Sequence, residues 1–150
     1  MTPALTVDDR RALRCGWRTV GGCTPETLRI AARRRGWTHF GPWWDEATAA
    51  GWFECVDDVA QLWRTTDAGC VAMLSDEQKD IMTRALGGAL RVSASLWRRG
   101  LVSKANAMSL GKSGLTVTVC GRLRLTDTGR RIARMVAKGT RDAARPTAAD

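Results

Sequence analysis

A chain of 150 residues is long enough for one ordinary domain or two very small ones. With 44% hydrophobic residues it is expected to fold rather than stay disordered. No apolar run approaches the roughly 20 residues that a membrane-spanning helix needs, so no membrane partner is expected. Met1 to Asp9 lacks a basic stretch followed by an apolar core, so no secretory leader is read there and a cytoplasmic location is expected.

The five cysteines, Cys15, Cys23, Cys55, Cys70 and Cys120, are scattered and odd in number, and His39 is the single histidine. Structural zinc sites bring their ligands in close pairs, so neither a metal nor a cofactor is expected, and the thiols are read as free in a reducing compartment. The formal charge is +9. Residues 1–75 carry nine Arg and nine Asp/Glu, whereas residues 76–150 carry fifteen Arg/Lys against six Asp/Glu. All the excess positive charge thus lies in the second half, which points to a half facing a polyanion and a neutral half. Six of the seven tryptophans, Trp17, Trp37, Trp43, Trp44, Trp52 and Trp63, lie in the neutral half.

In chain order, residues 8–20 read as a helix capped by Thr6 or Asp8, with Leu13, Trp17 and Val20 on one face. Gly21-Gly22 ends it. Thr24-Pro25-Glu26 opens a second helix to about Arg35, with a capping hydroxyl, proline at the first position and an acid in the first turn. Gly41-Pro42 opens a third, ended by Gly51. Trp52–Val56 and Ala60–Thr65 form a hairpin around Asp57-Asp58, and Thr66-Asp67-Ala68-Gly69 starts another helix.

In the second half, Asp76–Leu86 and Ala89–Arg99 read as helices separated by Gly87-Gly88. Leu101-Val102 enters a strand, and residues 103–114 read as a polar, flexible loop. Leu115–Val119 and Arg122–Thr126 form a hairpin, and Asp127–Lys138 is a closing helix. The expected organisation is a neutral, Trp-rich unit 1–74, a basic unit 75–138 and a disordered tail 139–150.

The two halves echo each other. Ala49-Ala50-Gly51-Trp52-Phe53 leads through a hairpin to Thr65-Thr66-Asp67-Ala68-Gly69. Arg98-Arg99-Gly100-Leu101-Val102 leads through a longer hairpin to Leu125-Thr126-Asp127-Thr128-Gly129. Each reads helix, glycine stop, apolar strand, hairpin, Thr-Asp-x-Gly, helix. Arg-Arg-Gly-Leu-Val closing a helix, followed by a hairpin ending in Leu-Thr-Asp-Thr-Gly-Arg-Arg, resembles winged helix-turn-helix DNA-binding proteins of the MarR and PadR type. The resemblance covers roughly residues 76–136 and, more weakly, 8–69. It implies a mainly α fold with short β-hairpins (α+β), two tandem winged-helix units, helix 89–99 as the recognition helix and residues 102–126 as the wing. The first unit departs from the pattern, because its third helix is acidic and Trp-rich where a DNA reader is basic.

On a helical wheel of residues 89–99, Arg91, Ser95 and Arg98 share the face opposite Leu90, Ala94 and Trp97, with Arg99 beside them. Arginine contacts phosphates or makes bidentate bonds to guanine edges. Arg122 and Arg124 alternate with Leu123 and Leu125 and so leave one side of their strand. Lys104 and Lys112 lie in the preceding segment. These eight residues are the expected nucleic-acid surface. The plain alternative is a solvated polar face on an amphipathic helix, beside a hairpin kept soluble by edge charges.

Trp43 and Trp44 are adjacent, so on a helix they point about 100° apart, and one of them is a candidate protein-contact anchor. The competing role is filling a small core that has no tyrosine and two phenylalanines. No catalytic constellation is visible: Gly111-Lys112-Ser113 lacks the upstream glycine of a phosphate-binding loop, because Asn106 stands there. The expected function is therefore sequence-specific binding of double-stranded DNA in transcription regulation, without catalysis. The alternative is a winged-helix-shaped inhibitor or adaptor that docks on a protein partner, or on a second copy, through its Trp-rich half. RNA binding is a further option, although no stacked-aromatic RNA motif is seen.

Overall fold

In a computed structural model of the protein, residues 5–32, 40–93 and 102–144 are described. Among them are seven helices and two antiparallel sheets, an α+β composition. The chain divides into two compact units, Met1–Leu74 and Ser75–Asp150.

Unit 1 begins with α1 (Val7–Arg18). Thr6 caps it in a reciprocal pair: Asp9 N–H donates to Thr6 Oγ1 at 3.2 Å and Thr6 N–H donates to Asp9 Oδ2 at 2.9 Å. The helix ends earlier than residue 20. Thr19 turns to extended backbone and Val20 is fully exposed, so the apolar face is Ala12, Leu13 and the half-buried Trp17 rather than a stripe reaching Val20. α2 (Pro25–Ala31) is capped by Thr24, starts on proline and buries Leu28. α3 (Phe40–Ala49) leads into β1 (Phe53–Asp57) and β2 (Leu62–Thr65), with a register irregularity near Asp57. Cys23 extends this pairing by exchanging two 2.7 Å backbone hydrogen bonds with Trp63. α4 (Asp67–Met73) closes the unit. Helix α1 packs against α2, α4 and β2 and α3 against β1, and Leu13, Leu28, Ala47, Phe53, Cys70 and Met73 are buried.

Unit 2 opens with α5 (Asp76–Ala85), capped by Ser75 and Gln78 in the same reciprocal way. Two expectations change here. Leu90–Arg91 is a short strand, β3, paired antiparallel with the later hairpin, and Val92 bridges Val102. The expected helix 89–99 is thus absent over its first residues, and positions 94–101, with Ser95, Arg98 and Arg99, lie outside the described residues. The segment read as a flexible loop is a helix, α6 (Lys104–Lys112), whose first turn is capped when Asn106 N–H donates to Ser103 Oγ at 3.2 Å. The expected wing 102–126 shortens accordingly to a hairpin of β4 (Thr116–Val119) and β5 (Arg122–Leu125). The sheet order is β3-β5-β4.

The closing helix α7 runs from Asp127 to Ala144, so the expected disordered tail is helical through Ala144 and residues 145–150 are not described. Gly139 did not stop it. A glycine inside a helix costs only about 1 kcal/mol relative to alanine, and the flanking Ala137, Lys138, Arg141 and Ala143 are good helix formers. α7 packs on α5 and β5, and Ile81, Met82, Leu110, Leu115, Leu123, Ile132 and Ala133 form the core.

Each unit uses the same joint where its hairpin meets the next helix. In unit 1 the Thr66 hydroxyl donates to Gly51 O (2.5 Å) and accepts from Gly69 N–H (3.1 Å), while Thr66 N–H donates to Trp52 O (2.9 Å). In unit 2 Thr126 makes the matching bonds to Gly114 O (2.6 Å), Gly129 N–H (3.0 Å) and Leu115 O (3.0 Å). A Cβ on Gly69 would overlap the Trp52 carbonyl, and one on Gly129 the Leu115 carbonyl. Only glycine lets helix and strand come this close. The joint also corrects the echo read from sequence: the counterpart of Gly51-Trp52 is Gly114-Leu115, not Gly100-Leu101.

Candidate nucleic-acid interface

Unit 2 carries the excess positive charge, and its sheet displays part of it in one ladder. On β5, Leu123 and Leu125 point inward and are buried, so Arg122 and Arg124 leave the opposite face and are exposed. The ladder register places Arg91 of β3 directly across from Arg122, and Val119 and Val117 of β4 across from Arg122 and Arg124. Cross-strand partners share a face, so Arg91, Arg122 and Arg124 stand together on the outer side of the sheet beside the exposed Val117 and Val119. Arg91 therefore joins the cation group through a strand rather than through the helical face expected for it.

Lys104 and Lys112 stand apart from this ladder. Both are exposed on α6, with Ala105 and Met108 on the same outer side, while Ala107 and Leu110 are buried. A groove of about 410 Å³ runs between Lys104, Met108 and Gly111 of α6 and Val92, Thr118 and Gly121. Thr118 pairs with Leu123, so this groove lies on the inner side of the sheet and the arginine ladder on the outer. The cations thus occupy two surfaces that flank the hairpin, one on α6 and one on the strands.

The position of α6 is fixed by a buried side chain. Gln78, 5% exposed on α5, accepts from Ser75 N–H and directs its Nε2 to Ser109 Oγ (3.3 Å) and Asn106 Oδ1 (3.5 Å). One amide therefore both caps α5 and ties α6 to it, leaving the Lys104–Lys112 side outward. Sequence reading missed this helix, and with it the exposed Met108. The signal that could have found it is Ser103 as N-cap before Ala107 and Leu110 at helical spacing.

The Trp-rich unit shows a different arrangement. Trp43 is 7% exposed and Trp44 half-buried. Trp44 stacks on Phe40 (centroids 5.9 Å apart), tilts against Phe53 (4.8 Å) and meets Trp63 edge-on (5.2 Å). Such aromatic packing adds about 1 kcal/mol per pair beyond area burial. Both tryptophans are engaged in joining α3 to the hairpin of their own unit.

Nearby, Cys15 Sγ and Cys23 Sγ are 3.8 Å apart as free thiols. Burial pushes the Cys15 thiol pKa up, and the Cys23 thiol beside it adds to the shift. Among the described residues no helix is long and apolar enough to cross a membrane. Comparison with family models, with curated proteins and with solved structures returned no match.

Proposed function

We propose that unit 2 binds double-stranded DNA as a winged helix, with α6 entering the major groove and the β4–β5 hairpin following the phosphates. The observation that carries this reading is the ladder of Arg91, Arg122 and Arg124 on the outer sheet face, with a helix on the other side of the hairpin that exposes Lys104 and Lys112. Like charges directly opposite one another weaken a sheet, and a polyanion laid across them removes that cost. Among the described residues none of these five side chains forms an ion pair. The order of elements agrees: helix, short edge strand, second helix, hairpin, with the short strand paired to the returning arm. In the winged helix-turn-helix proteins that the sequence resembles, the helix before the hairpin is the reading helix and the hairpin is the wing.

The reading moves the recognition element from residues 89–99 to α6. Lys104 and Lys112 then serve as phosphate or base-edge contacts, with the small Ala105 and Gly111 permitting close approach to the groove. Arg122 and Arg124 position the hairpin on the backbone. Unit 1 repeats the architecture without the charge, and its aromatic cluster packs that unit. The expected activity is binding in transcription regulation, without catalysis. Its test is an anisotropy titration of the whole chain against duplex DNA, with Lys104→Ala/Lys112→Ala and Arg122→Ala/Arg124→Ala as comparisons. Each double variant is expected to weaken binding by about tenfold or more. Unchanged affinity in both would refute the interface.

A further inference from the structure

A second cluster of cations lies around the far end of the hairpin. The start of α7, the end of β5 and the Leu86–Ala89 turn enclose a surface cavity of about 400 Å³, lined by Arg124, Arg130 and Arg134 together with Gly87 and Gly88. Among the described residues no carboxylate lines it. Asp127 holds Arg130 at 3.2 Å but is itself fully exposed, so in water it neutralises little of the charge. Arg130 and Arg134 stand one helical turn apart, a spacing at which like charges repel, and Arg130 lies beside the positive end of the α7 dipole. Folding therefore places three arginines along one concavity against their own electrostatics.

We propose that this cavity is a binding site for a phosphate group, on a phosphomonoester or phosphodiester. Guanidinium forks match phosphate oxygens two at a time, and three of them offer enough donors to engage every non-bridging oxygen. The volume exceeds a bare phosphate and lies in the range of small-ligand pockets, so an attached organic group fits. Arg124 is shared with the proposed DNA surface, but the pocket stands without that reading, because a free phosphorylated molecule would satisfy the same donors.

The test is calorimetric titration of the full chain with inorganic pyrophosphate at low ionic strength. Saturable binding at one site per chain is expected, weakened by about tenfold in Arg130→Gln and in Arg134→Gln, and retained in Arg141→Gln on the same helix. All three side chains are exposed, so these variants fold. Absence of saturable binding, or equal affinity in the Arg130→Gln/Arg134→Gln double variant, overturns the site. Repeating the titration with a short duplex present separates the sources. Displacement of pyrophosphate assigns the pocket to a backbone phosphate, and simultaneous binding assigns it to a free phosphorylated ligand. If duplex binding fails altogether while pyrophosphate binding responds to Arg130 and Arg134, the pocket stands and the DNA reading falls.

Discussion

Arg91 on β3 stands directly opposite Arg122 on β5, two like charges paired across an antiparallel ladder. That arrangement costs stability in the free protein and is relieved by an anion. Arg122→Glu replaces repulsion with a cross-strand attraction of about 0.5 kcal/mol. The variant is expected to melt a few degrees higher than the parent, roughly as such an increment shifts a small domain, while losing affinity for duplex DNA. Thermal denaturation and anisotropy on the same preparation check both halves. A variant that is destabilised, or that binds DNA as well as the parent, contradicts the account.

The two glycines of the repeated joint make a sharper stability prediction. Gly129→Ala forces a methyl into the Leu115 carbonyl and is expected to cost about 2–3 kcal/mol, as is Gly69→Ala against Trp52. Gly139→Ala sits in the same helix as Gly129 with nothing within 4 Å, and is expected to stabilise by about 1 kcal/mol. Urea denaturation of the three variants reads the contrast in sign.

Gln78 links cap and helix position, so its replacement should affect both. Gln78→Leu leaves the Ser75 N–H, Asn106 and Ser109 without their shared partner and is expected to cost about 1–3 kcal/mol. Because α6 loses its tie to α5, DNA affinity should fall as well, although Gln78 is buried and touches no DNA in the proposed complex. Affinity equal to the parent in folded Gln78→Leu would mean that α6 does not depend on this tie.

The Cys15 thiol gives a pH dependence. Its pKa is raised in the folded chain, chiefly by burial and then by Cys23, so the folded state holds the proton more tightly than the unfolded state. Stability from this group is therefore full below the ordinary thiol pKa of about 8.5 and is lost as pH rises through the higher folded value. Urea midpoints should drop between neutral and alkaline pH, and Cys15→Ser should flatten that drop. An identical slope in the variant would exclude the thiol as its source.

Much of the first half was legible because its helices carry their own starts: Thr6, Thr24-Pro25 and Thr66 cap where they stand, and Gly51 turns the chain after α3, whereas α1 leaves the helix at Thr19, ahead of Gly21-Gly22. The second half misled at residues 89–93, at 103–114 and in the tail after Lys138. Leu90, Val92, Leu96 and Trp97 fit a helical wheel, yet Leu90-Arg91-Val92 fits a strand alternation equally well, and a run that short cannot decide. The deciding contact is Val92 N–H to Gly121 O at 2.8 Å, a pairing with a residue far along the chain. Conversely, Asn106, Ser109 and Gly111 weaken helix propensity in α6, and it is the Ser103 cap and the buried Gln78 that hold the helix. Arg122 and Arg124 were readable from alternation alone, whereas the partnership of Arg91 with Arg122 needed the register.

The measurement that tests the central claim most directly is the salt dependence of duplex DNA binding by the whole chain, followed by anisotropy. If Arg91, Lys104, Lys112, Arg122 and Arg124 all meet phosphates, the plot of log affinity against log salt should have a slope of roughly −4 to −5, and each Lys→Ala or Arg→Ala change should reduce it by about one. No binding at low salt, or a slope unchanged when these residues are removed, would contradict the account.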